Sequence, residues 1–303
     1  MESHLTTNAP AWPRGVMPAS LTPYDPQGGV DAVGLARLGA GFEAAGCVGI
    51  VLGGTNGEGP SLSAVEKRDL VRSFAPARGQ LKVVAGLATS SLSEAIWLAQ
   101  QAAKSKADAV LVMAPGGYAN LDAVGIRDWF FRLADASPLP LILYHHPLMS
   151  RVTWRGEHVA ELATHPQCMG LKDSSGDPAN LAEFRAAWPE APLWVGDERL
   201  LLAALQAGWH GTISGCANVM AAPLCQVVQA WEAGETERAE RLFARVLPLI
   251  EALRCVPQPA HHKMSAHRQG RIERPDVRPP LTLPAEAAFS AWYESLPGGE
   301  FLG

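Results

Sequence analysis

The chain has 303 residues, 48% of them apolar and 18% charged, with a net charge of −5. That length suits one large α/β domain or two smaller ones, and an acidic balance with no offsetting Lys/Arg cluster argues against a nucleic-acid partner. No window approaches the roughly 20 apolar residues that span a bilayer, and the five scattered cysteines form neither a C-x-x-C motif nor a disulfide framework.

The opening stretch, MESHLTTNAPAWPRG, lacks a basic start followed by an apolar core. No signal peptide is therefore expected, and the cysteine usage points to a reducing cytoplasm. Eight short apolar runs then recur: GVMPASLTP (15–23), CVGIVLGG (47–54), LKVVAGLA (81–88), AVLVMAP (109–115), LPLILYHHP (139–147), CMGLKDSS (168–175), LWVGDE (193–198) and GTISGCAN (211–218). Near-continuous hydrophobicity suits strands covered on both faces, as in a parallel sheet.

Helix-like stretches separate the runs, among them DAVGLARLGAGFEAAG, SAVEKRDLVRSFAPA, SLSEAIWLAQQAAKSKA and PANLAEFRAAWPE. In SLSE, Ser91 is an N-cap candidate with Glu94 three residues on, and glycines close AAG and QAG. Eight strand–helix units predict an α/β fold, a (β/α)8 TIM barrel with appended C-terminal helices. A doubly wound open sheet is the rival, disfavoured because no G-x-G-x-x-G follows the first strand. The expected organisation is a single domain over 1–303, with the barrel at about 15–225 and a helical extension at about 226–303.

Active sites of such barrels lie at the C-terminal ends of the strands. Lys172 sits there on the sixth run. Desolvation disfavours an ammonium, so a lysine in an apolar setting yields a free amine that can attack a ketone. The protonated imine is an electron sink that lets an adjacent carbon–carbon bond break or form without a metal. The bland alternative pairs Lys172 with a carboxylate such as Asp173, its stem snorkelling to the rim. The other lysines, at 67, 82, 104, 106 and 263, are assigned to polar helix faces, a strand start or the tail.

GGTNGEG (53–59) combines small residues, a hydroxyl and amides where a strand hands over to a helix. Exposed N–H groups with the Thr55 side chain suit a carboxylate; an ordinary glycine-rich turn is the alternative. Glu58 is read as bracing the loop. Tyr144 is either a buried phenol with a backbone partner or a proton shuttle beside Lys172 and Thr55. His145 and His146 do not complete a metal set, since adjacent strand residues face opposite ways; His145 is expected to line the pocket. His261 and His262 are expected at a surface. Asp197 and Glu198 either contact substrate hydroxyls or are surface carboxylates.

GGTNGE, LILYHHP, GLKDSSGD and GTISGCANV, in this order and spacing, resemble the dihydrodipicolinate synthase / N-acetylneuraminate lyase family from about Val16 to the final helix. The resemblance implies a (β/α)8 barrel, class I aldolase chemistry without metal or other cofactor, and a homotetramer. It matches Lys172 to the Schiff-base lysine and Tyr144 to the proton-transferring tyrosine. Thr55 matches the carboxylate-binding relay residue, with the Asn56 amide assisting, and Ile213 the apolar residue packed near the imine.

The chain departs from the synthase pattern at two places. Leu148 and Met149 stand where synthases carry an arginine for the second substrate's carboxylate, with Arg151 about two residues too far along. Gly116 and Gly117 replace paired tyrosines after the fourth strand, leaving Tyr118 as a displaced candidate. The expectation is a Schiff-base lyase, aldolase or dehydratase, acting on a pyruvate-derived 2-oxo acid such as a 4-hydroxy-2-oxo or 2-keto-3-deoxy sugar acid. Its expected partners are that acid and an aldehyde, with no nucleic acid or membrane. The alternatives are dihydrodipicolinate synthase itself and a catalytically silent keto-acid-binding relative.

Overall fold

A computed structural model describes residues 12–118 and 120–302. The stretch read as lacking a signal peptide lies, over residues 1–11, outside the described residues. All eight apolar runs contain strands: β1 (Gly15–Pro18), β2 (Gly49–Leu52), β3 (Lys82–Gly86), β4 (Ala109–Met113), β5 (Leu141–His145), β6 (Cys168–Asp173), β7 (Leu193–Val195) and β8 (Gly211–Ser214). They pair in parallel in the order β1-β8-β7-β6-β5-β4-β3-β2. Closure comes from Val48 N–H donating to Val16 O (3.0 Å) and Ser20 N–H to Val51 O (2.9 Å), with Ala19 bridging Val51. The result is a (β/α)8 TIM barrel.

The helices are α1 (Ala32–Ala44), α2 (Ala64–Phe74), α3 (Leu92–Lys104), α4 (Ala123–Ala136), α5 (Pro147–Ser150), α6 (Gly156–Leu162), α7 (Ala179–Ala187) and α8 (Leu201–Gln206). The C-terminal part adds α9 (Ala217–Glu232), α10 (Thr236–Arg254), α11 (Gln258–Arg268) and α12 (Glu286–Glu294). Ser91 caps α3 by accepting from Glu94 N–H, and a full reciprocal capping box starts α2 between Ser63 and Glu66, which satisfies otherwise orphaned N–H groups. None of the helices among the described residues is long and apolar enough to cross a membrane.

Strand alternation divides the apolar residues into two cores. Met17, Val51, Val84, Leu111, Ile142, Tyr144, Trp194 and Ile213 fill the barrel interior. Val16, Ile50, Val83, Val110, Leu141, Leu143 and Leu171 face the helices. The second and larger core is continuous with helix residues such as Leu38, Phe74, Phe130 and Phe184. Burial on both faces explains why the strands read as near-continuous apolar runs.

Candidate active site

Lys172, on β6, is in register with Tyr144 on β5 and Trp194 on β7, and both of those belong to the inner core. The lysine therefore enters the barrel mouth rather than the helix layer. It is buried, its Nζ lies 4.3 Å from the centre of the Tyr144 ring, and among the described residues no carboxylate lies within ion-pair distance of it. Asp173 is engaged elsewhere: it accepts from Ser175 N–H and Oγ and from Asn180, and meets His145 Nδ1 at 2.7 Å. Alternation alone separates the neighbours, sending Lys172 inward and Asp173 outward. Gly196 makes room for the lysine, because a Cβ there would sit 2.8 Å from Lys172 Cε and overlap Ser174 Oγ.

The GGTNGEG loop follows β2. Gly53 adopts φ +68°, a left-handed conformation that favours glycine, and a Cβ on Gly59 would overlap the Gly53 carbonyl, so close backbone approach requires glycine there,. Among the described residues, the Thr55 and Asn56 N–H groups have no protein acceptor, leaving donors for an anion. The Thr55 hydroxyl lies 3.6 Å from Met149 Sδ. The Asn56 side chain turns instead toward Gln258 of α11, at 3.5 Å, and over Gly215.

Glu58 braces the loop from below. It takes φ +57°, accepts from Arg278 N–H at 2.8 Å and meets Lys263 Nζ at 2.5 Å, both partners of this ion pair fully buried. Lys263 also donates to Asp276 O and lies 3.8 Å from the centre of the Tyr24 ring. Burial lowers the Lys263 pKa to about 8, against the pull of the Glu58 carboxylate. The assignment of the remaining lysines to polar faces and tail thus fails for Lys263, and for Lys67, whose buried amine donates to Ala88 O. Pairing with partners distant in sequence offsets a desolvation that a local pattern does not reveal.

A cavity of about 350 Å³ opens at the mouth, lined by Gly53–Thr55, Ala88–Ser90, Met113, Gly116, Tyr144 and Met149 among others. Thr55 and Tyr144 thus share one cavity, and Tyr144 connects it to Lys172. Ile213 is buried in the inner core beside Tyr144. Met149 gives this wall an apolar side chain, while Leu148 is largely exposed. Tyr118 is 69% exposed and does not line the cavity. Arg151 lines a different groove, with Arg127, Trp154 and Glu161 between α4 and α6.

Three further expectations are corrected. His145 does not line the pocket: it faces the helix layer, stacks on Trp154 at 5.3 Å and accepts from Trp154 N–H through Nε2. The reason is again alternation, since Tyr144 takes the inward position. Asp197 and Glu198 are neither free for hydroxyls nor at the surface. Asp197 is held by Arg199 and Arg254, and Glu198 by Arg254 (2.6 Å), Ser214 and the Cys216 N–H. Burial pushes the Glu198 carboxyl up, but Arg254 and these hydrogen bonds outweigh it and hold the pKa below its usual value. His262 is fully buried, not superficial.

His146 is the residue that sequence reasoning passed over. It follows Tyr144 by two, its ring lies 5.7 Å from the Tyr144 ring, and among the described residues its Nδ1 is buried without a partner. Burial, then the charge of Lys172, lowers its pKa to about 4. The period of two that excluded a metal pair at 145–146 also identifies His146 as the inward histidine.

A model of the dihydrodipicolinate synthetase family matches residues 12–291. A 4-hydroxy-tetrahydrodipicolinate synthase of Hyphomonas neptunium is 37% identical over 279 residues, covering 90% of this chain and 94% of its own. One from Azoarcus sp. is 34% identical, with 90% and 94% covered. The crystal structure of the chloride-inhibited dihydrodipicolinate synthase from Acinetobacter baumannii, complexed with pyruvate, superposes with a TM-score of 0.86 at 29% identity, covering 93% of this chain and 97% of that one.

Proposed function

The chain belongs to the dihydrodipicolinate synthetase family, and on that premise we propose that it is a lysine-dependent Schiff-base lyase whose first substrate is pyruvate. The observation that carries this reading is the Lys172 amine, buried against Tyr144 and, among the described residues, without a carboxylate partner. In the proposed cycle the amine attacks C2 of the 2-oxo acid, water leaves, and an imine forms. The Thr55 hydroxyl and the open N–H groups of Thr55 and Asn56 hold the carboxylate. Loss of a C3 proton gives an enamine that adds to the aldehyde carbon, and Tyr144 delivers the proton to the new alkoxide. Hydrolysis releases the product and the lysine; cleavage runs the same steps backward.

The names of the relatives support one finer reading, 4-hydroxy-tetrahydrodipicolinate synthase, over the lyase of hydroxylated 2-oxo acids that the motifs alone put first. A specific observation favours the hydroxylated acid. The cavity wall that would face a second carboxylate carries Met149, and Arg151 lines another groove. A missing charge-assisted contact is worth roughly 1.5–3 kcal/mol. Pyruvate with borohydride should leave an irreversible adduct on Lys172, and its absence would sink the Schiff-base reading. Comparing kcat/KM for pyruvate plus aspartate semialdehyde with that for cleavage of a 2-keto-3-deoxy sugar acid decides between the finer readings. A homotetramer is the assembly expected from the family.

A further inference from the structure

The proline- and arginine-rich stretch RIERPDVRPPL, between α11 and α12, has no part in the cycle above, yet it reaches the loop that carries Thr55. It forms neither helix nor strand, and Pro275 and Pro279 restrict its backbone,. The Arg278 guanidinium gathers three acceptors from the barrel mouth. They are Gly28 O (2.7 Å) in the turn after β1, Ser61 O (3.3 Å) just beyond the GGTNGEG loop, and Glu66 Oε1 (2.6 Å) in the first turn of α2. Its Cζ lies 4.7 Å from the centre of the Tyr24 ring. The Arg278 N–H donates to Glu58, a partner 220 positions away in the sequence.

These contacts surround the turn that offers donors to the substrate carboxylate. Glu58 N–H donates to Thr55 O (3.1 Å), so residues 55–58 form one turn with the open Thr55 and Asn56 N–H groups at its start. Ser61 N–H donates to Glu58 O (2.8 Å) and continues the chain of bonds. Glu58 stands at φ +57°, a left-handed conformation that is unfavourable for a residue with a side chain and persists where its surroundings over-determine it,. Lys263 supplies the counter-charge from α11. Arg278 supplies the rest, holding the Glu58 carboxylate through its N–H and the Ser61 carbonyl through its side chain. The second oxygen of Glu66 accepts from Ser63 N–H (2.9 Å), so the same guanidinium fixes the entry to α2.

From this geometry we infer that Arg278 is a positioning residue for the first substrate. It fixes the turn at 55–58 so that the Thr55 and Asn56 N–H groups converge on the carboxylate of the 2-oxo acid, and it thereby sets the affinity for pyruvate rather than the rate of imine formation. The inference rests on the Schiff-base reading and adds a determinant outside the cavity.

The test follows borohydride trapping on Lys172 over a range of pyruvate concentrations, which separates the half-saturating concentration from the limiting rate. Arg278→Met leaves Glu58 paired with Lys263 and releases only the side-chain contacts. It should raise the half-saturating concentration about five- to fiftyfold, the worth of one or two lost polar contacts, and leave the limiting rate within about threefold. Arg278→Lys keeps a cation for Glu66 but cannot span three acceptors, so its value should fall between. Arg268→Met, which releases Ser290 and Glu294 on α12 instead, is the control and should leave half-saturation unchanged. In a Thr55→Val background the effect of Arg278→Met should shrink, because both residues act on one carboxylate. Half-saturation unchanged in both Arg278 variants, an equal rise in Arg268→Met, or effects of Arg278→Met and Thr55→Val that simply add would each overturn the assignment. A wild-type enzyme that traps no pyruvate would overturn the Schiff-base reading itself, a result separable from the other three.

Discussion

The Lys172 amine lies over the face of the Tyr144 ring, 4.3 Å from its centre, on the adjacent strand and in the same register. The aromatic ring and the phenol hydroxyl therefore have separable tasks: the ring packs the lysine, and the hydroxyl is the group proposed to move the proton. Tyr144→Phe keeps the first and removes the second. Pyruvate should still be trapped on Lys172 by borohydride, while turnover falls by roughly 10²–10⁴, the usual contribution of a positioned acid–base group. A change below about threefold would make Tyr144 a packing residue only.

Gly196 is the other determinant of the lysine's position. An alanine Cβ there would overlap Ser174 Oγ and sit 2.8 Å from Lys172 Cε, so both the serine hydroxyl and the flexible end of the lysine must give way. Gly196→Ala should therefore slow imine trapping by about tenfold or more, since misplacement by about an ångström is enough for such losses, and a Ser174→Ala background, which removes the hydroxyl that the new Cβ overlaps, should leave the part of that loss due to the lysine. Gly41, in α1, has nothing among the described residues within 4 Å of its would-be Cβ and serves as the control. Trapping in Gly196→Ala that matches Gly41→Ala would show that the lysine has room to spare.

The ion pair between Lys263 and Glu58 joins α11 to the loop that carries Thr55, across a sequence gap that spans most of the barrel. Lys263→Met leaves a buried carboxylate without its cation, a change that costs about 3–5 kcal/mol. The Glu58→Gln/Lys263→Met double variant should regain a large part of that stability, because neither charge is then stranded. Urea midpoints of the single and double variants measure this. A double variant no more stable than Lys263→Met would mean that the two charges are not energetically coupled.

The barrel was legible because each parallel strand, covered on both faces, leaves a continuous apolar run in the sequence, and Lys172 stood out by interrupting one of them. His145 and Asp197 were misplaced for a different reason. Which face a strand residue takes depends on the phase of an alternation that Tyr144 sets, and whether a carboxylate is free depends on Arg254, which arrives from α10 more than fifty residues later. The Glu58–Lys263 pair is of the same kind: each residue looks ordinary locally, and only the closed fold brings them together. His146 was accessible to the alternation rule, had it been applied to both histidines.

His262 offers a test of burial through pH. It is fully buried on α11, among the described residues neither ring nitrogen has a side-chain hydrogen-bond partner, and burial lowers its pKa from 6.5 to about 4. The Glu198 carboxylate and the Leu253 backbone oppose that shift, while His261 and Arg254 add to it. The unfolded chain therefore binds a proton between pH 6.5 and 4 that the folded protein does not. Stability should rise with pH across this window and fall as pH drops through it, by up to about 1.4 kcal/mol per pH unit for one whole proton. His146 and His210, both also lowered to about 4, add to the wild-type slope. His262→Leu removes one of the three contributions and keeps an apolar side chain in the site. Unfolding free energies from urea titrations at pH 4.5, 5.5 and 6.5 should give a shallower slope for His262→Leu than for the wild type, with the proton-linked difference between them growing toward the acid end. Parallel slopes would mean that His262 takes up its proton in the folded state and finds a partner there.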